Sequence, residues 1–343
     1  MQSTTAAVAN YDPAHDVILA TAGYDHTIRL WEALTGVCHR TIPHPDSQVN
    51  RLAISPDRRF LAACGFSNTR IYDLRSQTPT PLHTFDGHAG PVTGVVINQE
   101  STWMATSSED GTVKVWDLRS PGVKRNYQHK HPVNDVCVHA NQGEIISCDQ
   151  GGSIRVWDLG ENVCTHELVP EEEEPVRSVA VSADGKVMVA AGQRGIVWVW
   201  RMEQQGGGEI KGIQPMSKFQ AHRKYLTRIA LATDTNSGNG GDIERIHLAT
   251  CSADSTVKLW TLDQKQTPSS SLHDDVKFVH RRTLAGHQRW VWDCAWSADA
   301  AYLVSAASDG TAKLWDVTSG EVVRQYQGHQ KAVSCIALND LTG

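Results

Sequence analysis

The sequence predicts an all-β fold: a seven-bladed β-propeller whose ring is closed by the C-terminal strand pairing in the N-terminal blade. Three observations carry that prediction. Tryptophan outnumbers phenylalanine eleven to five, and most of the tryptophans recur at near-regular intervals. Each recurring aromatic ends a β-branched, apolar run bounded by turn residues, the pattern of short strands between tight turns. The last residues, "GHQKAVSCIALNDLTG" (328–343), open a unit whose counterpart is missing from the first one.

Seven segments align in order: "TAGYDHTIRLWEA" (21–33), "ACGFSNTRIYDLRS" (63–76), "TSSEDGTVKVWDLRS" (106–120), "SCDQGGSIRVWDLG" (147–160), "AAGQRGIVWVWRME" (190–203), "TCSADSTVKLWTLD" (250–263) and "SAASDGTAKLWDVTSG" (305–320). Their anchors are Trp31, Tyr72, Trp116, Trp157, Trp200, Trp260 and Trp315, spaced by 41, 44, 41, 43, 60 and 55 residues. Self-similarity at about 40–45 residues, ending in Trp-Asp, is the WD40 signature. In the third unit the strands read "PVTGVVIN", "WMATSS", "TVKVWDL" and a weak outer strand near "GVKRNYQH", with "EDGT" as the hairpin turn. One such sheet cannot bury both of its faces; stacked radially, neighbouring blades bury each other. Residues 1–15 are expected to form an irregular arm before a single propeller over 16–343. The two long spacings hold Gly-, Asn- and Ser-rich insertions at 203–212, 232–244 and 263–275, read as flexible surface loops. The acidic run "PEEEEP" (170–175) reads as a solvated loop, with a basic partner as the sharper alternative.

WD40 blades share a buried polar network of His, Ser or Thr, Asp and Trp, which satisfies the indole N–H. The resemblance places it at His88, Thr106, Asp110 and Trp116, at His222, Thr250, Asp254 and Trp260, and at His287, Ser305, Asp309 and Trp315. In each, the hydroxyl lies ten residues before Trp and the Asp six before it. Thr21, Asp25 and Trp31 repeat those offsets without an upstream His and inner strand. His329 and "AVSCIAL" are the surplus that completes them, so the ring closes there. The other units look degenerate: Gly151 and Arg194 stand where Asp is expected, and Tyr72 replaces Trp in a turn one residue shorter.

Composition narrows the function. A formal net charge of -6 lacks the basic footprint of nucleic-acid binders. The eight cysteines form no CxxC pair and read as free, mostly buried thiols in a reducing compartment. The N-terminus has no charged region followed by an apolar core, so no signal peptide is expected. No apolar run reaches the length of a membrane span, so no direct membrane insertion is expected. His44, His88, His222, His287 and His329 precede inner strands and read as structural. His129 and His131 in "HKHP" are the remaining metal candidates, and a structural role is preferred. Neither a GxxxxGK[ST] loop nor a GxSxG elbow occurs, so no enzyme, cofactor or metal is expected.

The repeat itself points to a partner site. At the residue after the first apolar position of each inner strand stand Asn50, Thr93, Asn134, Arg177, Thr227, Trp292 and Ser334. Two residues earlier stand Gln48, Pro91, Pro132, Pro175, Tyr225, Trp290 and Ala332. Only the seventh unit, "HQRWVWDCAW", has tryptophan at both. Strand alternation would project Trp290 and Trp292 together and carry Trp296 into the core. The plain reading is that all three pack internally. The sharper one makes Trp290 and Trp292 an aromatic anchor, extended by Tyr225, with Gln48 and Asn50 offering amides on the same rim.

"ILATAGYDHTIRLWEA", "LATCSADSTVKLW", "RWVWDCAWSADAAYLVSAASD" and "GEVVRQYQGHQKAVSCIALND" resemble the small WD40 subunit of the TOR kinase complexes, the Lst8 (GβL) family, over residues 16–343. The resemblance implies a non-catalytic scaffold, cytoplasmic and reaching endomembranes only through its complex. It would sit on the C-terminal lobe of the TOR kinase catalytic domain in TOR complexes 1 and 2, beside other subunits. It also implies that Gln48, Asn50, Trp290 and Trp292 face the kinase. A competing class is a substrate receptor of a cullin ubiquitin ligase, since Trp116-Asp117-Leu118-Arg119 fits a WDxR box. A third is a peptide reader using the central channel.

Overall fold

The computed structural model describes residues 17–204, 206, 208–234, 245–263 and 277–340; the proposed arm at 1–15 lies outside them. They form seven four-stranded antiparallel sheets. Blade 1 draws on both ends of the chain: Val333–Asn339 is its inner strand, followed outward by Ile18–Gly23, Thr27–Glu32 and Cys38–Pro43. The closing register runs from Ile18↔Asn339 to Gly23↔Val333. The ring therefore closes as the surplus strand in the sequence requires.

The inner strands of blades 2 to 7 are Arg51–Ile54, Val92–Ile97, Val133–Val138, Val176–Val181, Leu226–Asp234 and Val291–Trp296. Each leads outward through three more strands in sequence order. The hairpin turns need left-handed backbone, which glycine adopts without a Cβ clash, as at Gly111 (φ 80) and Gly310 (φ 81). The apolar core is divided into seven buried clusters, each shared by two neighbouring blades. Burial of one blade by the next is thus the repeating unit of cohesion.

Five blades carry the same polar chain. The indole Nε1–H donates to a hydroxyl: Trp31 to Thr21 at 2.7 Å, Trp116 to Thr106 at 2.8 Å, Trp157 to Ser147 at 2.8 Å, Trp260 to Thr250 at 3.1 Å and Trp315 to Ser305 at 2.7 Å. Each hydroxyl also meets Nε2 of a histidine: His329, His88, His129, His222 and His287 in turn. Nδ1 of each histidine donates to Asp25, Asp110, Asp149, Asp254 or Asp309 at 2.7–2.9 Å. Burial acts to raise these five carboxyls. The bonds they accept outweigh it and hold them below the usual value.

Blade 4 corrects the reading of the sequence. Gly151 occupies the expected Asp position, yet Asp149, two residues earlier, does the work with His129 and Ser147. His129 is thereby a network residue with both ring nitrogens engaged. Blade 2 substitutes a direct contact, His44 Nδ1 to Tyr72 Oη at 3.1 Å. In blade 5, Arg194 is held by Glu174, whose Oε1 accepts the Arg194 backbone N–H at 2.6 Å and whose Oε2 lies 3.1 Å from Nε. Glu174 is buried, so the acidic run is not wholly a solvated loop.

The insertion at 203–212 is also more ordered than a flexible loop. It prolongs a hairpin between Ile196–Gln204 and Ile210–Gln220, with Glu203↔Gly212 and Gln204↔Ile210 in register. Ile210 is buried against Met202 and Trp200, which gives that extension an apolar reason to form. Residues 232–234 likewise lengthen the inner strand of blade 6; 235–244 and 264–275 lie outside the described residues.

Candidate partner-binding rim

A bulge recurs at the start of the inner strands. In blades 1, 3, 4, 5, 6 and 7 the register slips at Ser334, Thr93, Asn134, Arg177, Thr227 and Trp292. In blade 2, Asn50 N–H donates to Cys64 O, which Arg51 then opposes in the ladder. A bulge re-aims its side chain. In six of the seven blades it turns the side chain toward the neighbouring blade.

Five of these residues tie that neighbour down. Asn50 donates to Val92 O at 3.1 Å, Thr93 to Val133 O at 2.8 Å, Asn134 to Val176 O at 2.7 Å, Thr227 to Val291 O at 2.6 Å and Ser334 to Val49 O at 2.5 Å. Asn50 also donates to Gly65 O at 3.2 Å, so both of its N–H donors serve the ring. The expectation that Asn50 presents amide donors on the rim is corrected accordingly. Gln48 is exposed.

The two exceptions to the tie are Arg177 and Trp292. Arg177 instead lies over the Tyr225 ring, 5.7 Å from its centroid. Trp292 turns its indole N–H to Ser308 Oγ at 2.5 Å. Trp290 stacks on Tyr225 with centroids 6.3 Å apart and planes at 16°, and it meets Trp292 at 5.5 Å. Gln193 Nε2 fixes the Tyr225 hydroxyl at 2.6 Å. Tyr225 and Trp290 are 42% and 46% exposed, while Trp292 is half-buried beneath. The result is a continuous aromatic surface over blades 6 and 7, locked from below by hydrogen bonds.

Two further aromatics belong to this rim. Tyr24 N–H donates to Ala332 O, the blade 1 counterpart of Trp290, and Phe66 follows Gly65, whose carbonyl Asn50 holds. They are 40% and 62% exposed. Comparison of inner strands alone missed them because they sit in the hairpin turns; an aromatic beside a turn glycine was the available signal.

Trp296 lies at the edge of the core rather than deep within it: half-buried at the far end of the strand, it packs against the apolar cluster of blades 6 and 7 and donates to Ala230 O at 3.0 Å.

The residue after each bulge faces the centre of the ring. Arg51, Asp135, Arg228 and Asp293, from blades 2, 4, 6 and 7, meet there. Arg51 Nη1 lies 3.1 Å from Asp293 Oδ1 and Nη2 lies 3.9 Å from Asp135 Oδ1. Arg228 pairs with Asp135, and its Nε lies 3.6 Å from Asp293. Burial pushes both carboxyls up, and Arg51 counters it. These charges satisfy one another across the channel, so a peptide reading through the centre finds them already paired.

The WDxR segment has its own structural task. Trp116 is 1% exposed in the blade 3 network, and Asp117 accepts the Arg119 backbone N–H at 2.9 Å. Among the described residues, no group of three or more His, Cys, Asp or Glu is arranged to hold a metal.

Comparison with known proteins agrees with this architecture. The model of the WD domain, G-beta repeat matches residues 4–32, 36–72, 79–117, 123–158, 162–201, 213–261 and 278–316. The chain is 53% identical over 330 residues to the target of rapamycin complex subunit wat1 of Schizosaccharomyces pombe, covering 96% of this chain and 98% of that one. It is 52% identical over 325 residues to the target of rapamycin complex subunit LST8 of Saccharomyces cerevisiae, covering 95% and 99%. Against the mouse subunit LST8 the identity is 40% over 340 residues, 98% of each chain. With seven repeats matched and identity of this order across nearly its full length, the chain belongs to the Lst8 family of WD40 propellers.

Proposed function

We propose that this protein is a non-catalytic subunit of the TOR complexes. Its aromatic rim docks on the C-terminal lobe of the TOR kinase catalytic domain and supports both activity and assembly. The observation that carries this reading is the Tyr225–Trp290–Trp292 cluster, stacked, braced and exposed at Tyr225 and Trp290, on a chain whose relatives are named as target of rapamycin complex subunits. Exposed aromatics on a rigid frame lose little side-chain entropy on binding and commonly dominate an interface. The rim holds the lobe in one geometry, and this chain contributes no reacting group.

The test replaces Trp290 and Trp292 by Ala in the full chain. The double variant is expected to lose kinase co-purification, with about 2 kcal/mol or more lost at an anchor of this type. Circular dichroism should show the propeller still folded. Normal co-purification by a folded double variant removes the rim from the kinase interface.

A further inference from the structure

The opposite face of the ring carries a different surface. On the outer strands, blades 1, 3, 6 and 7 place arginine at one equivalent position. Arg40 pairs with Leu30, Arg125 with Val115, Arg282 with Leu259 and Arg324 with Leu314. Three of these reach the connection between the last two strands of the next blade, Arg324 by packing against Gly36 and the other two by hydrogen bonds. Arg40 donates to Ser76 O at 2.5 Å, and Arg282 donates to Thr318 O at 2.6 Å and Ser319 O at 2.7 Å. Beyond the ladder bonds of its backbone to Val115, the Arg125 guanidinium makes no hydrogen bond or ion pair with any described residue. A groove of about 520 Å³ opens beside it, between blades 3 and 4, where the next blade offers Leu159 and Gly160.

The groove is cationic and partly apolar. Arg119 and Lys124 stand exposed at its edge, and neither side chain has a partner among the described residues. Trp103, Val115 and Leu159 form its wall. One carboxylate, Asp117, joins the lining, and it is occupied by the Arg119 backbone N–H. Three cations against one carboxylate is a local reversal on a chain of net charge -6.

We propose that this groove is a second docking surface and takes an acidic peptide segment of another protein, seated by an apolar side chain. Guanidinium pairs with carboxylate through two parallel hydrogen bonds, which Arg125 is placed to donate. Residues i and i+2 of an extended segment share a face about 7 Å apart, so carboxylates can reach the cations beside one apolar anchor. A nucleic acid fits less well: the three cations cluster at one groove instead of forming a stripe for a phosphate backbone, and the wall beside them is apolar. Because the groove and the aromatic rim lie on opposite faces, both can be occupied at once.

Fluorescence anisotropy on the purified full chain tests this. The probe is a labelled ten-residue peptide of Asp and Glu with one central Leu. The variants are Arg119→Glu, Arg125→Gln and their combination, with Lys211→Glu, an exposed cation of blade 5, as charge control. Saturable binding is expected, weakened about tenfold by Arg125→Gln and further by the pair, as for loss of a charge-assisted bond. Replacing the central Leu by Ser should weaken it too. Melting curves and kinase co-purification should match the parent chain. Should Arg125→Gln melt earlier, Lys124→Ser with Arg119→Ser takes its place. An equal loss with Lys211→Glu, unsaturable binding, or equal affinity for polyuridylate overturns the proposal.

Discussion

Each tryptophan that closes a blade brings one N–H donor into the core, and a donor buried without an acceptor costs about 1–3 kcal/mol. The donors, hydroxyls and imidazoles here form a one-way chain. Indole N–H gives to hydroxyl, hydroxyl O–H gives to Nε2, and Nδ1–H gives to carboxylate. Burial favours the neutral imidazole that this chain needs at His88, His222 and His329, whose pKa values are lowered. His44 is the extreme case: burial first, then Arg70 and His26, bring it down to about 4. The sign follows from linkage. The unfolded chain takes up the His44 proton near pH 6.5, and the folded one resists until about 4. Its stabilising contribution is complete above pH 6.5 and is lost as pH falls toward 4. The network carboxylates, with pKa values lowered below 3.8, add a loss at still lower pH. Urea unfolding at pH 7.5, 6 and 5 should show a falling midpoint, and His44→Gln should flatten that fall. An unchanged slope in the variant shows that His44 does not carry it. At this scale the sequence was legible where the offset of ten joins hydroxyl to Trp. Blade 4 hid its network because a role defined in space, at Asp149, moved two places along the chain.

The strand is the next unit, and the closing strand shows what one contributes. Val333–Asn339 supplies six paired residues to Ile18–Gly23 and buries Val333, Cys335, Ile336 and Ala337. It also brings His329 to Thr21 and Asp25, and Ser334 to Val49 O, so it links blade 1 to itself and to blade 2. Deleting residues 328–343 therefore leaves Trp31, Thr21 and Asp25 without their histidine and exposes two apolar layers at once. The truncated chain should lose cooperative thermal unfolding, read by near-ultraviolet circular dichroism. A melt like that of the parent chain would show that the ring does not need its latch. Apolar alternation and turn residues made these strands readable from composition. Two features escaped. The hairpin extension at 203–212 looked like loop because Gly-rich stretches dominate it, although Ile210 anchors it. The direction of Trp292 escaped because a bulge is an irregularity of pairing, and pairing is a property of two strands.

At the scale of the whole ring, the bulge couples centre to rim. In blades 2, 4 and 6 the bulged residue faces the adjoining blade and its successor faces the channel: Asn50 then Arg51, Asn134 then Asp135, Thr227 then Arg228; in blade 7 Trp292 turns to Ser308 of its own blade while Asp293 faces the channel. The four-charge cluster thus binds blades 2, 4, 6 and 7 across the axis through residues adjacent to those that shape the rim. Asp293 Oδ2 also accepts the Ile336 N–H at 3.0 Å, tying the cluster to the closing strand. Removing one partner from such a buried set leaves a carboxylate with too little compensation, at about 3–5 kcal/mol. Arg51→Met should therefore cost about that much in urea unfolding. If the rim docks on the kinase as proposed, it should also weaken kinase capture in the folded fraction, because Trp292 loses the anchor beside it. Adding Asp293→Asn keeps an oxygen for Ile336 and removes the stranded charge. The double variant should then unfold with a smaller loss than the two single losses added. An Arg51→Met chain within about 1 kcal/mol of the parent would mean that interblade apolar layers alone hold the ring. The charges would then fill the channel without bracing the rim.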